Sequence, residues 1–511
     1  MSDESNIKKL FGNSILYIFS GVLAKGIHFF LLPVYTVFLT TSDYGIQNMV
    51  ISFNSVMTYV VLLCLDSAIL KYYSEFKGKK KELKRIYGTA ISMVAISSAI
   101  TLLLFIILKD FLSSQVLKDI DFFPYIILGY FILTFDAFFS LHKRMLEAQQ
   151  NGSKVALVSV ITVLFSTGIT LILIGLLKKG AVGLLIAGAI ASLGTVIFMI
   201  IDIVRNDMVI LCLDINMLKK MLRYCIPLIP HHASGYIATF ISKIFLNNSN
   251  SLAAVGLYGI ASQFSNIIDT FQDSASHAYR PWIFVKLQNR AELDVKEIKN
   301  SIVLLLTFYT LIYGVVGLFC QEIIYFMTAE QYHGAWKVIP ILVIYYSLKS
   351  IYYFYVDVCL FYKNTSNKVF IASLLGSLSN IIAAYFLVPV WGMYGSALAM
   401  ITSICVLTSI VIIIVKQYGS VDIGYDLALM IKRITLSWIF IFAGISPSYL
   451  LNIKNVDFMN VIYKLLIAVL YLFIIWRINK KAVYSFTGQE DLCMVVKLAA
   501  EKLRHRGGKK E

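Results

Sequence analysis

Ionisable side chains lie inside several long apolar segments of the 511-residue sequence. The first of these segments, residues 13–37, holds Lys25 and His28 near its middle. A run of about 20 mainly apolar residues is long enough to cross a bilayer as a helix, and a lone cation facing lipid there costs roughly 3 kcal/mol or more. Lys25 is therefore expected to face a hydrated cavity lined by protein. A structural ion pair with a carboxylate on another helix is the alternative.

The seventh apolar segment, residues 224–246, carries a polar stripe. His232, Tyr236, Thr239 and Lys243 recur at intervals of three and four residues, which places them on one face of a helix. Prolines before the stripe permit bending where protein or water satisfies the freed carbonyl groups. This stripe and the helix face that carries Lys25 and His28 are predicted to face each other, and hydrogen-bonded packing at a kink is the alternative for the pair His231 and His232.

The eighth segment, residues 253–279, leads into a row of four ionisable side chains. Asp269, Asp273, His277 and Arg280 follow one another at intervals of four, four and three residues, so a helix carries them on one face. Packing alone is a poor explanation for such a row within or just below a bilayer. The row is predicted either to line a transport path or to form an ion-pair ladder that latches a gate.

Other apolar segments add further candidates. The tenth holds Lys349 and Asp357 among five tyrosines; tyrosine rings and hydroxyls suit sugars, and an aromatic belt at the membrane interface is the alternative. Asp66 closes the second segment, and Asp136 in the fourth is predicted to be a cavity carboxylate. Lys464, near the outer end of the last segment, is interpreted as a lysine that extends its ammonium group to the interface.

The predicted site residues fall into two sets. Those expected to bind an anionic substrate are Lys25, His28, His232, Lys243, Arg280 and Lys349. Those expected to serve ion coupling or gating are Asp66, Asp136, Asp269, Asp273, His277 and Asp357. No metal site or cofactor is expected, because the seven cysteines are scattered and form no C-x-x-C pair.

A membrane-embedded helical fold must position these residues. The chain is 59% hydrophobic and 14% charged, about half the charge density of a soluble protein. Its apolar runs are about 20 residues long and unbroken, which favours helices over barrel strands. The fold class is predicted to be an all-α polytopic membrane protein with about fourteen spans. The predicted spans are residues 13–37, 45–68, 86–108, 122–142, 155–177, 181–203, 224–246, 253–279, 301–326, 338–362, 369–390, 393–415, 433–450 and 458–476.

The distribution of basic residues predicts the orientation of the chain. With the N-terminus inside, about 35 of the 45 Lys and Arg residues fall on the cytoplasmic side and about 6 on the other. Both termini are therefore predicted to be cytoplasmic. This rule accounts for the net charge of +16 without a nucleic-acid partner. The basic tail, residues 481–511, is predicted to lie on the inner leaflet as an amphipathic helix, and a solvated tail is the alternative.

Short motifs recur at an offset of about 210 residues. Gly180-Ala-Val-Gly183 opens the sixth predicted span and Gly392-Met-Tyr-Gly395 opens the twelfth, and Gly45 has its counterpart in Gly256. The repeat predicts two six-helix lobes related by an axis along the membrane normal, with a central cleft. The predicted domains are residues 1–210 and 211–420 for the lobes, 421–480 for two additional spans and 481–511 for the tail.

Several of these motifs also resemble a known family. Asp43-Tyr44-Gly45, the Asp66-Ser-Ala-Ile-Leu-Lys-Tyr-Tyr run and the two Gly-x-x-Gly span starts are similar to those of Wzx-type polysaccharide flippases, members of the multidrug/oligosaccharidyl-lipid/polysaccharide exporter superfamily. The resemblance implies that the protein moves an undecaprenyl-diphosphate-linked oligosaccharide from the cytoplasmic to the outer leaflet of a bacterial plasma membrane. It also implies membrane lipids, and a polysaccharide polymerase or chain-length regulator, as partners. Similarity to the lipid II flippase implies that the two additional spans form a groove for the polyprenyl tail.

The implied substrate explains why cations matter. A diphosphate carries about two negative charges, and transfer of these charges through apolar lipid has a large desolvation cost. A cation-coupled antiporter of small organic molecules is the alternative function, although the two additional spans and the buried lysines count against it. A membrane enzyme is disfavoured, because the predicted loops contain no catalytic constellation.

Overall fold

A computed structural model describes residues 26–27, 29–289, 292–366, 368–418, 425–451 and 457–487, with side chains omitted at 289, 292–296, 363, 366 and 479–487. Within these ranges the chain is helical and forms no β-strand, which confirms the predicted all-α class. Of the predicted tail, residues 481–487 belong to the last described helix, and residues 488–511 lie outside the described residues.

The described part of the chain forms seventeen α-helices of seven or more residues, numbered here in chain order. They are α1 Leu32–Phe38, α2 Thr41–Leu62, α3 Leu65–Glu75, α4 Lys80–Ile107, α5 Ile127–Ala148, α6 Gly152–Thr170, α7 Gly180–Arg205, α8 Ile215–Cys225, α9 Ile229–Ser249, α10 Leu252–Asn289, α11 Glu292–Leu318, α12 Cys320–Met327, α13 Ile339–Phe361, α14 Val369–Trp391, α15 Met393–Tyr418, α16 Leu427–Leu450 and α17 Phe458–Thr487.

Eleven helices of the described chain are long and apolar enough to cross a membrane. They are α2, α4, α5, α6, α7, α11, α13, α14, α15, α16 and α17. Helices α9 and α10 occupy the predicted seventh and eighth spans but are not among the eleven, since histidines, aspartates and prolines interrupt their apolar residues. The protein is therefore a multi-pass membrane protein, and the count of fourteen spans stays a prediction.

Polar side chains define where several helices begin. Thr40 and Asp43 form a reciprocal capping box at the start of α2, in which each side chain bonds the backbone N–H of the other residue. Asp214 and Asp426 cap α8 and α16 by accepting the N–H of the residue three positions ahead. Each cap follows a break between apolar runs, so the helix starts are set locally.

The second predicted span, residues 45–68, is not one continuous helix. Helix α2 ends at Leu62, Leu63 and Cys64 have φ angles of +50° and +55°, and α3 begins at Leu65. Such left-handed backbone costs roughly 1 kcal/mol or more for a residue other than glycine. The Cys225 thiol, at the end of α8, donates to the carbonyl of Cys64 at 3.0 Å. This tertiary contact holds a corner that apolar periodicity does not predict.

The chain divides into two compact units. The first unit comprises the residues up to Asn266 with Ile323–Tyr345 and Asn367–Ile410. The second comprises Ile267–Glu322, Tyr346–Ser366 and the residues from Val411. The predicted six-helix lobes follow a different division of the chain, and they stay a prediction.

Two corners of the first unit repeat one arrangement. Gly180 has a φ angle of +55°, and a Cβ there would lie 2.8 Å from Oδ1 of Asp43. Gly392 has a φ angle of +53°, and a Cβ there would lie 3.1 Å from the side chain of Asn250. Each glycine therefore lets a helix begin in a left-handed turn against a polar side chain. The glycines belong to the two motifs from which the repeat was predicted.

The second unit corrects the interpretation of Lys464. This lysine is fully buried and forms an ion pair with Glu322, so it does not extend to the interface. Its segment was recognised as apolar, but hydropathy does not distinguish a helix face that meets lipid from one that meets protein.

Candidate functional site

Helix α2 meets α9 and α10 within the first unit along a surface that we call the seam. At one end of the seam two glycines bring backbones into contact. A Cβ on Gly45 would lie 1.9 Å from the carbonyl oxygen of Leu252, and a Cβ on Gly256 would lie 2.0 Å from that of Thr41. No side chain fits at either position. The helices therefore pack backbone to backbone here, which only glycine allows.

Hydrogen bonds surround the glycine contact. The Tyr44 hydroxyl donates to Oε1 of Gln263, linking α2 to α10. The Tyr332 hydroxyl donates to the carbonyls of Thr40 and Leu39 at 2.7 and 3.1 Å. Nε2 of Gln331 donates to the same Leu39 carbonyl at 2.9 Å. This end of the seam is closed by glycine packing and by bonds between neutral groups.

Lys243 occupies the middle of the seam. Its Nζ donates to Oγ of Ser52 at 2.7 Å and lies 3.5 Å from both the backbone and the side-chain oxygen of Asn48. These partners are neutral. No carboxylate of the described chain lies within salt-bridge distance of this ammonium group.

Beyond Lys243 the α9 stripe becomes accessible. Tyr236 is half exposed, and its ring centroid lies 5.8 Å from that of Tyr59 on α2. Thr239 and His232 are also exposed on α9. The structure therefore places the predicted stripe on an open face that leads to Lys243. The predicted opposing residues, Lys25 and His28, lie outside the described residues.

Asp66 and Asp136 lie in separate environments of the first unit. Asp66, in the first turn of α3, accepts from Nε of Arg144 at 3.3 Å, and the same guanidinium bonds Glu147 at 2.9 Å. Asp136 accepts from Oγ of Ser192 at 2.6 Å. A carboxylate that pairs with an arginine is suited to holding helices, whereas one bonded only to a hydroxyl is suited to taking up a proton or a cation.

Asp136 lines a cavity of about 430 Å³. The polar part of its wall consists of hydroxyl and amide side chains: Gln47, Asn54, Ser55, Thr58, Thr162, Ser166 and Ser192. The Asn54 amide donates to the carbonyl of Gly129 at 2.9 Å, and its Oδ1 has no hydrogen-bond partner. One carboxylate among neutral oxygens suits a proton or a monovalent cation. No group of three or more His, Cys, Asp or Glu side chains arranged for a metal occurs in the described residues.

A buried polar cluster of the first unit was missed by sequence reasoning. Tyr87 Oη lies 2.7 Å from Nδ1 of His142, and Nε2 of His142 lies 3.1 Å from Oδ2 of Asp202. Lys154 pairs with the other oxygen of Asp202. These residues come from the ends of four helices far apart in the chain, so no local pattern predicts the cluster. Its groups satisfy one another, which favours a role in holding α4, α5, α6 and α7 together.

In the second unit, the α10 row pairs mainly with α13. Arg280 donates to Asp357 at 2.7 Å, and Ser276 donates to the other oxygen of that carboxylate at 3.0 Å. Lys349 Nζ lies 2.7 Å from Asp269. Both aspartates are therefore neutralised by one cation each. Arg280 and Asp269 therefore pair with a different helix, and the choice between a transport path and an ion-pair ladder stays a prediction.

The remaining members of the row and the tyrosines divide by exposure. Asp273 and His277 are half exposed and lie 3.6 Å apart on α10. Tyr353 donates to Asp269 at 3.1 Å and stays partly accessible, whereas Tyr346 and Tyr355 are buried. The tyrosine cluster thus contributes to both the core and the accessible polar surface of this unit.

Comparison with known proteins gives a family and a distant match to part of one relative. Residues 10–288 match the sequence model of a family described as polysaccharide biosynthesis protein. A protein of the Lsg locus of Haemophilus influenzae is 22% identical over 287 residues, which cover 55% of this chain and 68% of that protein.

Solved structures share the fold. The lipid II flippase MurJ in an inward closed conformation has a TM-score of 0.64 and 17% identity, covering 91% of this chain and 99% of that chain. An inward-facing multidrug resistance MATE family transporter of the MOP superfamily has a TM-score of 0.58 and 14% identity, covering 81% of this chain and 95% of that chain. At such identities the similarity is one of fold.

Proposed function

The chain belongs to the polysaccharide biosynthesis protein family, and on that premise we propose that it is a flippase for an undecaprenyl-diphosphate-linked oligosaccharide. It moves this substrate from the cytoplasmic to the outer leaflet of a bacterial plasma membrane by alternating access. Both termini are cytoplasmic in this proposal. The fold shared with the lipid II flippase MurJ supports a lipid-linked substrate.

The single observation that carries the alternating-access mechanism is the contact of Gly45 with Gly256. The repeat predicted from the sequence makes these two residues equivalent. Equivalent residues that touch each other lie close to the axis that relates the two copies. A rocking motion about such an axis moves the helices on the two sides of the seam apart, and no large side chain has to pass another.

The orientation of the chain then assigns a state. The glycine contact comes directly after the first predicted span, so with a cytoplasmic N-terminus it faces outward. The closed seam therefore supports a state that is shut on the outer side. In this state the accessible stripe of α9, from His232 to Tyr236, receives substrate from the cytoplasm.

The second unit, taken by itself, carries two cations whose chemistry suits a diphosphate. Arg280 and Lys349 are held by Asp357 and Asp269 in this state. A diphosphate offers an arginine the same bidentate, charge-assisted bonds as a carboxylate. Substrate therefore competes with the aspartates, and each cation exchanges one anionic partner for another without passing through an unpaired state.

The test is the appearance of the lipid-linked glycan in the outer leaflet. Proteoliposomes containing the protein and a fluorescent undecaprenyl-diphosphate oligosaccharide are treated with a membrane-impermeant quencher. Protein-dependent exposure of the glycan is the expected result. Transport of small organic cations without glycan movement would replace this proposal by the antiporter.

A further inference from the structure

Among the residues that the structure describes, Lys243 is a cation without a counter-charge, and its partners in the seam are neutral groups. Helices α2 and α14 both pack against α9. Helix α14 contains no charged residue, and the only one on α2 is Asp43. Asp43 is committed to the capping box at Thr40 and to the amide of Ala181 at 2.9 Å. The closed seam therefore gives Lys243 only the dipoles of Ser52 and Asn48.

This arrangement makes closure of the seam depend on whether an anion is near Lys243. A partly buried ammonium group that bonds only neutral oxygens forgoes much of its hydration. A phosphate oxygen forms a shorter and stronger charge-assisted bond with an ammonium group than a hydroxyl does. An ammonium group has three N–H donors, and while the seam is closed the oxygens of Ser52 and Asn48 lie around Nζ and accept from it. An anion therefore has a higher affinity for the open seam than for the closed one.

We propose that Lys243 is the residue through which the negative charge of the cargo opens the seam. This inference rests on the proposed flippase function. A ligand shifts a conformational equilibrium only through its different affinities for the two states. Contact with Lys243 supplies that difference, since it is available to the diphosphate only when Ser52 has moved away. The exposed stripe of His232, Tyr236 and Thr239 is the route by which the diphosphate approaches.

The test measures opening without measuring transport. Exposed Ser42 and Ser249 lie near the closed end of the seam, and S42C and S249C in an otherwise cysteine-free chain carry spin labels. Pulsed electron paramagnetic resonance then reports the distance between them. Farnesyl diphosphate is the probe and neutral farnesol is its control. The diphosphate is expected to raise the open fraction about tenfold, the change that one charge-assisted hydrogen bond can produce, and farnesol is expected to have no effect.

Variants separate charge from fold. Lys243→Met is expected to leave the seam closed with either probe, while Lys243→Arg keeps the response. Lys77→Met changes an exposed lysine on the surface and serves as the matched control, with a normal response. The inference is overturned if Lys243→Met opens like the unmodified chain, if farnesol acts as strongly as the diphosphate, or if the unmodified seam does not respond. If the glycan still appears in the outer leaflet in any of those cases, the flippase function stands without this trigger.

Discussion

Nζ of Lys464, on the last described helix, lies 2.7 Å from Oε1 of Glu322. The lysine side chain is fully buried. Oε1 of Gln321 accepts a second bond from the same ammonium group at 3.2 Å. The pair joins α17 to α12. Apolar packing keeps water away from this point, so each charge depends on the other. The last helix is thus attached to its unit by a specific polar contact as well as by apolar area.

Removing one partner of this pair is expected to be costly. Lys464→Met leaves the partly buried Glu322 carboxylate without its cation and is expected to destabilise the protein by about 3 kcal/mol. The double variant Lys464→Met/Glu322→Gln removes both charges and is expected to recover most of that loss. Thermal unfolding in detergent measures both effects. Equal melting temperatures for the single variant and the unmodified chain would contradict the importance of the pair.

A methyl group in the glycine contact is expected to hold the seam open. In Gly256→Ala the new Cβ would lie 2.0 Å from the carbonyl of Thr41, so α10 must move away from α2. Glycan transport is expected to fall at least about tenfold while the protein still folds, because a state closed on the outer side is no longer reached. Gly235→Ala is the matched control, since nothing lies within 4 Å of its Cβ. Normal transport by Gly256→Ala would show that the contact does not close the seam tightly.

Neutralising the partner of Arg280 is expected to strengthen binding. Asp357→Asn keeps an acceptor for Arg280 and Ser276 but removes the charge that competes with the substrate. The dissociation constant for farnesyl diphosphate, measured by calorimetry, is expected to fall several-fold. This corresponds to a gain of about 1 kcal/mol in binding free energy. Asp207→Asn alters a highly exposed carboxylate and is expected to have no effect. Weaker binding by Asp357→Asn would assign Asp357 to shaping the site instead of competing for it.

The cavity carboxylate is expected to matter for transport more than for stability. Asp136→Asn retains an oxygen that accepts from Ser192, so the free energy of unfolding is expected to change by less than about 1 kcal/mol. Glycan movement driven by a proton or sodium gradient is expected to fall strongly, because the cavity loses its only carboxylate among the lining residues described. Proteoliposomes with each gradient in turn provide the measurement. Full gradient-driven transport by Asp136→Asn would remove this residue from ion coupling.

Much of the fold and part of the site could be predicted from local pattern. Unbroken apolar runs indicated an all-α membrane protein because length and hydropathy are properties of a single segment. Helical spacing placed His232, Tyr236 and Lys243 on one face of α9 for the same reason. The match of Gly45 with Gly256 indicated equivalence, although it did not reveal that the two residues touch.

The partners of buried charges could not be predicted in this way. The row on α10 showed which face carries Asp269 and Arg280, but Lys349 and Asp357 are some 80 residues further along the chain. The prediction that Lys464 extends to the interface was wrong, because an apolar segment does not indicate whether its polar residue meets lipid or protein. The cluster of His142 and Asp202 was missed, since its members come from the ends of separate helices. Each of these features depends on tertiary packing.

The most direct test of alternating access is to tether the seam. The side chains of Tyr44 and Gln263 bond each other across it, so Y44C and Q263C in an otherwise cysteine-free chain are joined by a bismaleimide with a reducible spacer. Each single-cysteine variant, treated identically, is the control. The account predicts that the tethered protein moves no lipid-linked glycan to the outer leaflet and that reduction of the spacer restores movement. Glycan movement at the untreated rate while the tether is intact would contradict it.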